Sequence, residues 1–367
     1  MKITPIDVPG YERVAKAEDP ASGLLAFIGV HDTTLGPALG GLRMWRYENE
    51  QAALTDVLRL SRGMTYKSAV AKTGLGGGKS VIVGDPRRDK TPALFQAMGR
   101  FIESFGGQYI TAEDVGTGIA DLKQVRQGTR WVTGLAREDG GSGNPSPYTA
   151  LGCFVGLQAA AAEAWGSDSL QGKVVAIQGP GSVGFPLGQH LIKAGAKLVV
   201  SDVNQENLDR AVKELGAKAV APQAIYDEPC DIFAPCALGG ILNDETIPRL
   251  KCRIVGGAAN NQLLDENRHA QALKERGILY APDYVINAGG IINVSLELEP
   301  GGYDETKAVA KIRNISDALR SIFETARRRN VTTHAAAQDV AEANLKAGAG
   351  GARRAQQVHT SLRQTAG

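Results

Sequence analysis

The sequence predicts an α/β protein of two domains, and three observations predict it. The chain runs to 367 residues, more than one domain ordinarily holds. A stretch crowded with Gly, Ser, Asn and Pro, EDGGSGNPSP at 138–147, reads as a linker between two halves. Beyond it, short aliphatic runs alternate with helical patterns, the order that lays down a parallel sheet with helices on its faces. The expected division is a first α/β domain over 1–144 and a second over 145–325, separated by a cleft that closes by hinge motion. A C-terminal helical segment, 326–367, is expected to pack back on the first domain.

The elements follow in order. GLLAFIGVH at 23–31 reads as a strand that exits into a glycine-rich turn, TTLGPALGG. From Glu50, the positions Leu54, Val57, Leu58 and Met64 recur at helical spacing. SVIVGDP at 80–86 is a short buried strand stopped by Asp-Pro. A helix is expected over 92–105, then the strand QYITAED. Ser146-Pro147 starts the linker helix, a cap followed by proline at the first helical position, and it runs to Trp165. KVVAIQ, a glycine turn, a helix to Ala194, KLVVSD and a helix over 204–215 come next. DIFAP at 231–235, RIVGG at 253–257 and ILYAP at 278–282 read as further strands. Val309, Ile312, Ile315, Leu319, Ile322 and Phe323 predict one long amphipathic helix, and a last helix follows Thr332-Thr333. Arg327–Arg329 suits a helix C-terminus, and the Ala/Gly-rich tail from Ala347 reads as frayed.

Charge excludes some functions. Lys+Arg number 41 against 39 Asp+Glu, so no basic surplus recruits nucleic acid or an anionic membrane. The N-terminus lacks a signal-like apolar core and no apolar run has membrane-spanning length, which predicts a cytoplasmic protein. The four cysteines form no CxxC pair and have no histidines at metal-ligand spacing, so reduced, mostly buried thiols and no metal are expected. No Ser-His-Asp order or HExxH supports hydrolysis. His31, beside the glycine-rich turn, reads as a capping or structural residue.

KTGLGGGKS at 72–80 imitates a phosphate-binding loop but fails by one register step. That loop needs a glycine five residues before Gly78, and Thr73 stands there. The nucleotide signal lies further on. Gly179-Pro180-Gly181-Ser182-Val183-Gly184 fits G-x-G-x-x-G, follows the strand VVAIQ and opens a helix. Gly179 permits the tight turn, Gly181 the close approach of a pyrophosphate, and Gly184 the packing of helix on strand, whose N–H groups face the phosphates. Asp202 ends the next strand, where it accepts ribose hydroxyls and repels a 2′-phosphate. NAD is therefore expected rather than NADP.

Two lysines, Lys67 in GMTYKSAV and Lys79 in GGGKSVIVGDP, stand in apolar, glycine-rich surroundings, and Asp114 follows a predicted strand. A lysine ordinarily titrates near ~10.4, too high for a base at neutral pH. Burial and a neighbouring cation bring it down toward about 7–8. Two lysines in one cleft provide that arrangement, one holding a carboxylate while the other titrates, with a carboxylate nearby to shuttle an amine proton. The bland alternatives are surface lysines and a glycine bulge.

PALGGLRMW, GMTYKSAVAKTGLGGGKSVIVGDP, YITAEDVGTG, APCALGG, GAANNQL and YAPDYVINAGGIINV together resemble the glutamate/leucine/phenylalanine/valine family of amino-acid dehydrogenases, most nearly its leucine-type members. The likeness spans about residues 10 to 340. It implies that Lys79 is the base activating water, that Lys67 holds the substrate carboxylate and that Asp114 assists proton transfer at the amine. It also implies that Asn260 and Asn287 lie near nicotinamide and substrate, and that Thr149, Cys236, Ala237, Ala259 and Arg43 line the cofactor. Leu39, Ala112, Ile291 and Val294, with Gly40, fall on substrate-lining positions. None of these is charged, which disfavours glutamate and favours branched aliphatic amino acids. Ile291, Leu42 and the Pro180 turn depart from the leucine-type pattern, which bears on the preferred amino acid. The implied reaction is NAD-dependent reversible oxidative deamination, giving a 2-oxo acid and ammonia, by a homo-oligomer, often an octamer. Two alternatives stand beside it: an aromatic amino-acid dehydrogenase acting on phenylalanine, and a non-catalytic NAD-binding sensor, which needs the lysine pair disabled.

Overall fold

The computed structural model describes residues 1–348 and Val358. The chain divides into two compact units. The first comprises Met1–Asn144, Val294–Glu305 and, among the described residues, the chain from Ala341; the second comprises Pro145–Asn293 and Thr306–Val340.

The first unit is built on a six-stranded sheet ordered β1-β2-β3-β5-β4-β6. Its strands are β1 (Lys2–Ile6), β2 (Arg13–Asp19), β3 (Leu24–Asp32), β4 (Ala38–Trp45), β5 (Gly76–Val83) and β6 (Tyr109–Glu113). Strands β1, β2, β3 and β5 pair antiparallel in turn, while β4 runs parallel to both β5 and β6. Helices α1 (Glu50–Val70), α2 (Pro92–Glu103) and α3 (Ile119–Arg126) complete it.

Here the structure corrects the glycine reading. ALGG, the end of the expected turn, instead opens strand β4, and β5 begins at Gly76, four residues before the expected Ser80. The glycines make room rather than bends. A β-carbon at Gly77 would stand 2.1 Å from Thr65 N of α1, and one at Gly40 would stand 1.8 Å from Gly78 O. The helix face differs for the same reason. Ala53, Val57, Leu60, Ser61, Thr65 and Ser68 are buried, whereas Leu54, Leu58 and Met64 are half-buried flanks. Only small side chains fit where helix and strand backbones come this close.

The second unit carries an all-parallel sheet ordered β12-β11-β10-β7-β8-β9. The strands are β7 (Val174–Gln178), β8 (Lys197–Ser201), β9 (Lys218–Ala219), β10 (Ile232–Pro235), β11 (Ile254–Val255) and β12 (Leu279–Tyr280). Read from β7, this is the doubly wound 3-2-1-4-5-6 order of dinucleotide-binding sheets. Its helices are α4 (Ser146–Trp165), α5 (Gly184–Lys193), α6 (Gln205–Leu215), α7 (Glu266–Glu275), α8 (Asp283–Ile286), α9 (Gly289–Ser295), α10 (Glu305–Arg313) and α11 (Ile315–Arg329). Pro145, not Ser146, holds the cap position of α4.

The long C-terminal helix is two. Ser316 Oγ donates to Arg313 O at 3.0 Å, and the turn at Asn314 tightens to i→i−3 bonding, which separates α10 from α11. The expected return to the first unit at 326 also moves. Ile322, Phe323 and Ala326 are buried on α11, which packs on α4 in the second unit. The chain rejoins the first unit only within α12 (Thr333–Ala347), where Asn344 Nδ2 donates to Ala69 O at 3.0 Å. The rest of the expected tail, apart from Val358, lies outside the described residues.

Among the described residues no helix is long and apolar enough to cross a membrane. Of the four free thiols only Cys153 is fully buried; Cys230, Cys236 and Cys252 are half-buried.

Candidate active site

In the first unit, β5 carries Lys79 opposite Gly29 of β3, with the neighbouring Ser80 opposite Leu42 of β4. Lys79 is only 4% exposed. Its Nζ lies 2.9 Å from Asp114 Oδ2. Asp114 sits one residue past β6, where its N–H donates to Thr117 Oγ1 at 3.1 Å and that hydroxyl donates to Leu42 O at 2.7 Å. Gly41 lets this segment come in, since a β-carbon there would stand 2.6 Å from Glu113 O. Arg43 then completes a chain of charges. Its Nε donates to the same Asp114 Oδ2 at 2.9 Å, and its other arm donates to Asp56 Oδ2 at 3.0 Å. Tyr47 OH donates to that Asp56 oxygen at 2.6 Å.

These placements set the protonation states. Burial lowers Lys79, Asp114 pulls the other way, and Arg43 lowers it again. Burial raises Asp114, but Lys79 and Arg43 outweigh it and hold the carboxyl at about 2. Asp114 is thus an anion at neutral pH, and burial with Arg43 loosens the hold of Lys79 on its proton.

The other residues expected on this side fall as follows. Leu39, Gly40 and Ala112 lie on the adjacent strands β4 and β6, with Gly40 opposite Thr111 and Gly41 opposite Ala112. Gly40 is required by the sheet itself. Lys67 occupies the last turn of α1, two residues beyond the Thr65 that lies against Gly77. Val294, buried, begins the segment that belongs to the first unit, while Ile291, also buried, belongs to the second. Arg43, expected at the cofactor, binds Asp114 and Asp56. His31 is structural, with its Nδ1 2.9 Å from Thr65 Oγ1 and its ring edge-on to Tyr11. Asp56 and Tyr47 were not anticipated, because nothing local in the sequence ties them to a carboxylate further along the chain.

In the second unit the glycine turn follows β7. Gly179 has φ +91°, and a β-carbon there would stand 2.7 Å from Ala237 Cβ. Gly184 opens α5, where a β-carbon would stand 2.1 Å from Gly179 O. Gly181 is different: the nearest atom to an added β-carbon is Asn207 Nδ2 at 3.8 Å, so no internal packing demands glycine. Pro180 is buried beneath the turn, and Ser182 and Val183 lead from it into the helix. That space beside a helix N-terminus suits a pyrophosphate. Asp202 follows β8, accepting Asn204 N–H on one oxygen and Asn207 Nδ2 on the other, both at 2.9 Å.

Cys236 and Ala237 follow β10, with Cys236 N–H donating to Gln178 O at 2.8 Å; burial pushes the Cys236 thiol up to about 12. Ala259 N–H donates to Pro235 O at 2.9 Å. Asn287 Nδ2 donates to Asn260 Oδ1 at 2.8 Å and to Ala258 O at 3.1 Å. Its own Oδ1 is buried without a partner among the described residues, an acceptor suited to an amide N–H such as a nicotinamide carboxamide presents. Thr149 Oγ1 donates to Pro145 O at 3.2 Å, and an added β-carbon at Gly290 would stand 2.6 Å from it. The residues fit a dinucleotide.

A doubly wound sheet with a turn shaped for pyrophosphate, in a chain whose other sheet buries a lysine against a carboxylate, defines a nicotinamide-nucleotide-dependent dehydrogenase. Residues 11–131 match the family model described as Glu/Leu/Phe/Val dehydrogenase, dimerisation domain. Residues 140–205 and 202–349 match the model for Glutamate/Leucine/Phenylalanine/Valine dehydrogenase, and the chain belongs to this family of amino-acid dehydrogenases. It is 56% identical to a leucine dehydrogenase of Thermoactinomyces intermedius over 336 residues, covering 92% of this chain and 91% of that one. It is 47% identical to a phenylalanine dehydrogenase of Caldalkalibacillus thermarum, covering 94% of each. The crystal structure of L-tryptophan dehydrogenase from Nostoc punctiforme superposes with a TM-score of 0.78 at 46% identity, covering 92% of this chain and 97% of that one.

Proposed function

We propose that this amino-acid dehydrogenase carries out the reversible, NAD-linked oxidative deamination of branched-chain aliphatic L-amino acids, releasing the 2-oxo acid and ammonia. The observation that carries the reading is the buried Lys79, its Nζ 2.9 Å from Asp114. In this reading Lys67 holds the substrate carboxylate. Asp114, ionised, accepts the hydrogen bond of the substrate ammonium and relays its proton. Bound NAD supplies the hydride acceptor for the substrate Cα. Lys79 in its neutral form takes a proton from the water that attacks the resulting imine carbon, and returns it to the departing nitrogen. Burial favours that neutral form, which a solvated lysine does not offer at neutral pH.

Leu39, Ala112 and Val294, all in the first unit, give the substrate side chain apolar company. A glutamate carboxylate among them would be desolvated without a partner. A methylene is worth only about 1–3 kcal/mol in such surroundings, so leucine, valine and isoleucine overlap as substrates. Asp202 supports NAD over NADP by its charge. Assembly into a homo-oligomer in the cytoplasm belongs to the same reading, supported by the dimerisation-domain match and by four free thiols.

The test is NADH and NADPH production across leucine, valine, isoleucine, phenylalanine and glutamate. Fastest turnover of a branched aliphatic substrate with NAD is expected. Preference for phenylalanine or for glutamate overturns the assignment of substrate, and absence of turnover with every amino acid overturns the assignment of reaction.

A further inference from the structure

We propose that Arg43 is the cation that keeps Lys79 able to release its proton, and that Asp56 is the positioning residue that holds Arg43 against Asp114. This rests on the reading of Lys79 as base and deepens it.

The geometry is specific. Lys79 Nζ and Arg43 Nε both lie 2.9 Å from one atom, Asp114 Oδ2. A lysine beside a single buried carboxylate would be held protonated, because the pair stabilises its charge. Arg43 changes that balance in two ways. It occupies the same carboxylate oxygen, sharing out the anion's attraction, and it places a permanent positive charge beside the ammonium. Its planar guanidinium presents one nitrogen to Asp114 and another to Asp56 at once, in a fixed fork, and its charge does not titrate.

Asp56 in turn receives Arg43 at 3.0 Å and Tyr47 OH at 2.6 Å on the same oxygen. Both side chains are largely withdrawn from water, Arg43 18% and Asp56 25% exposed. The elements around β5 bring other ionisable groups: His31 on β3, Lys67 on α1, Tyr109 and Glu113 on β6. Asp114 and Arg43 act on Lys79 most strongly among the charged groups, and Asp56 acts weakly, from behind Arg43. The four charges alternate and cancel, so removing either member of the Arg43–Asp56 pair leaves an unbalanced charge whose sign depends on which one is removed.

That sign provides the test. With neutral Lys79 as the active form, kcat/KM for leucine falls on the acid side as Lys79 becomes protonated. Arg43→Met removes the opposing cation, and the acid limb is expected to move to higher pH by about one unit. Asp56→Asn keeps acceptors for Arg43 and Tyr47 but deletes the charge that offsets Arg43, and the limb is expected to move to lower pH. Asp56→Glu, which keeps the charge, returns it toward the wild-type position. A purely structural role lowers kcat or the melting temperature without opposite displacements of one limb. Limbs that stay in place, or that move the same way in both variants, overturn the inference. Arg43→Gln replaces Arg43→Met if the latter does not fold, with the same expected direction. Lys79→Ala separates the two claims: normal turnover there removes the base itself, whereas an inactive Lys79→Ala with unmoved limbs removes only the role given to Arg43 and Asp56.

Discussion

Lys79 Nζ and Asp114 Oδ2 stand 2.9 Å apart, with the lysine almost wholly out of water. An ion pair in such a place is costly to build and is not explained by stability alone. Removing the lysine tests its chemical role. Lys79→Ala should lower kcat for leucine deamination by at least about 10²-fold, the lower bound for losing a positioned general base. NAD affinity, which the proposed reading assigns to the second unit, should be unchanged by fluorescence titration. Ordinary turnover would end the assignment.

Gly77 should tolerate no side chain. An added β-carbon would stand 2.1 Å from both the backbone nitrogen and the hydroxyl of Thr65, and backbone cannot move aside as a flexible side chain can. Gly77→Ala is expected to cost at least about 1–3 kcal/mol, the usual penalty of overpacking. Urea denaturation reads this as a lower midpoint. Gly63, on α1 with nothing within 4 Å of an added β-carbon, is the control, and Gly63→Ala should not lower the midpoint.

The same glycines show where sequence reasoning reached and where it stopped. The Gly179–Gly184 turn was legible because its requirements are local: a strand before it, a helix after it, an acid at the end of the next strand. Gly40 and Gly76–Gly78 carry the same residue type for another reason, the approach of α1, β4 and β5, which exists only once the chain has folded. Read locally, Gly40 looks like part of a turn and Gly76–Gly78 like a bulge. Lys79 and Asp114 could be placed by resemblance. Arg43 and Asp56 could not be joined to them, since 71 residues separate Arg43 from Asp114 and no pattern along the chain signals that their side chains meet. The buried face of α1 is legible only in part for a related reason: Val57 is buried as the apolar spacing predicts, but the small Ala53, Ser61, Thr65 and Ser68 share that face, where Leu54, Leu58 and Met64 do not.

Asp202 is anchored through Asn204 and Asn207, which fixes its direction while each oxygen keeps further acceptor capacity. Asp202→Ala should raise KM for NAD by about 10- to 100-fold, the scale of losing a charge-assisted hydrogen bond worth about 1.5–3 kcal/mol. Steady-state kinetics with both cofactors should also show the NADP rate rising relative to NAD, because the variant removes the negative charge that, in the role proposed for Asp202, repels a 2′-phosphate. An unchanged KM with an unchanged cofactor ratio would move the ribose contact elsewhere.

Glu297 supplies a pH-dependent contribution to stability in the first unit. Its Oε1 accepts Gly134 N–H at 3.0 Å and Ser142 N–H at 2.7 Å, so one carboxylate ties together both ends of the 134–142 loop. Burial pushes this carboxyl up to about 7, with the side chain and N–H of Ser142, the Gly134 N–H and the Arg126 charge opposing the shift only in part. An unfolded glutamate titrates near ~4.3. Between those values the folded chain binds the proton more tightly than the unfolded one, so stability falls as pH rises through that window and levels off above about 7. Each unit of displacement is worth about 1.4 kcal/mol. Glu297→Gln keeps Oε1 as acceptor for both N–H groups but cannot ionise. Its melting temperature relative to wild type should therefore rise between pH 5.5 and 8.5, a gain that differential scanning calorimetry at matched ionic strength would detect. A difference that stays constant across that range would show that Glu297 remains ionised throughout, held by the Gly134 and Ser142 amides more strongly than burial opposes it.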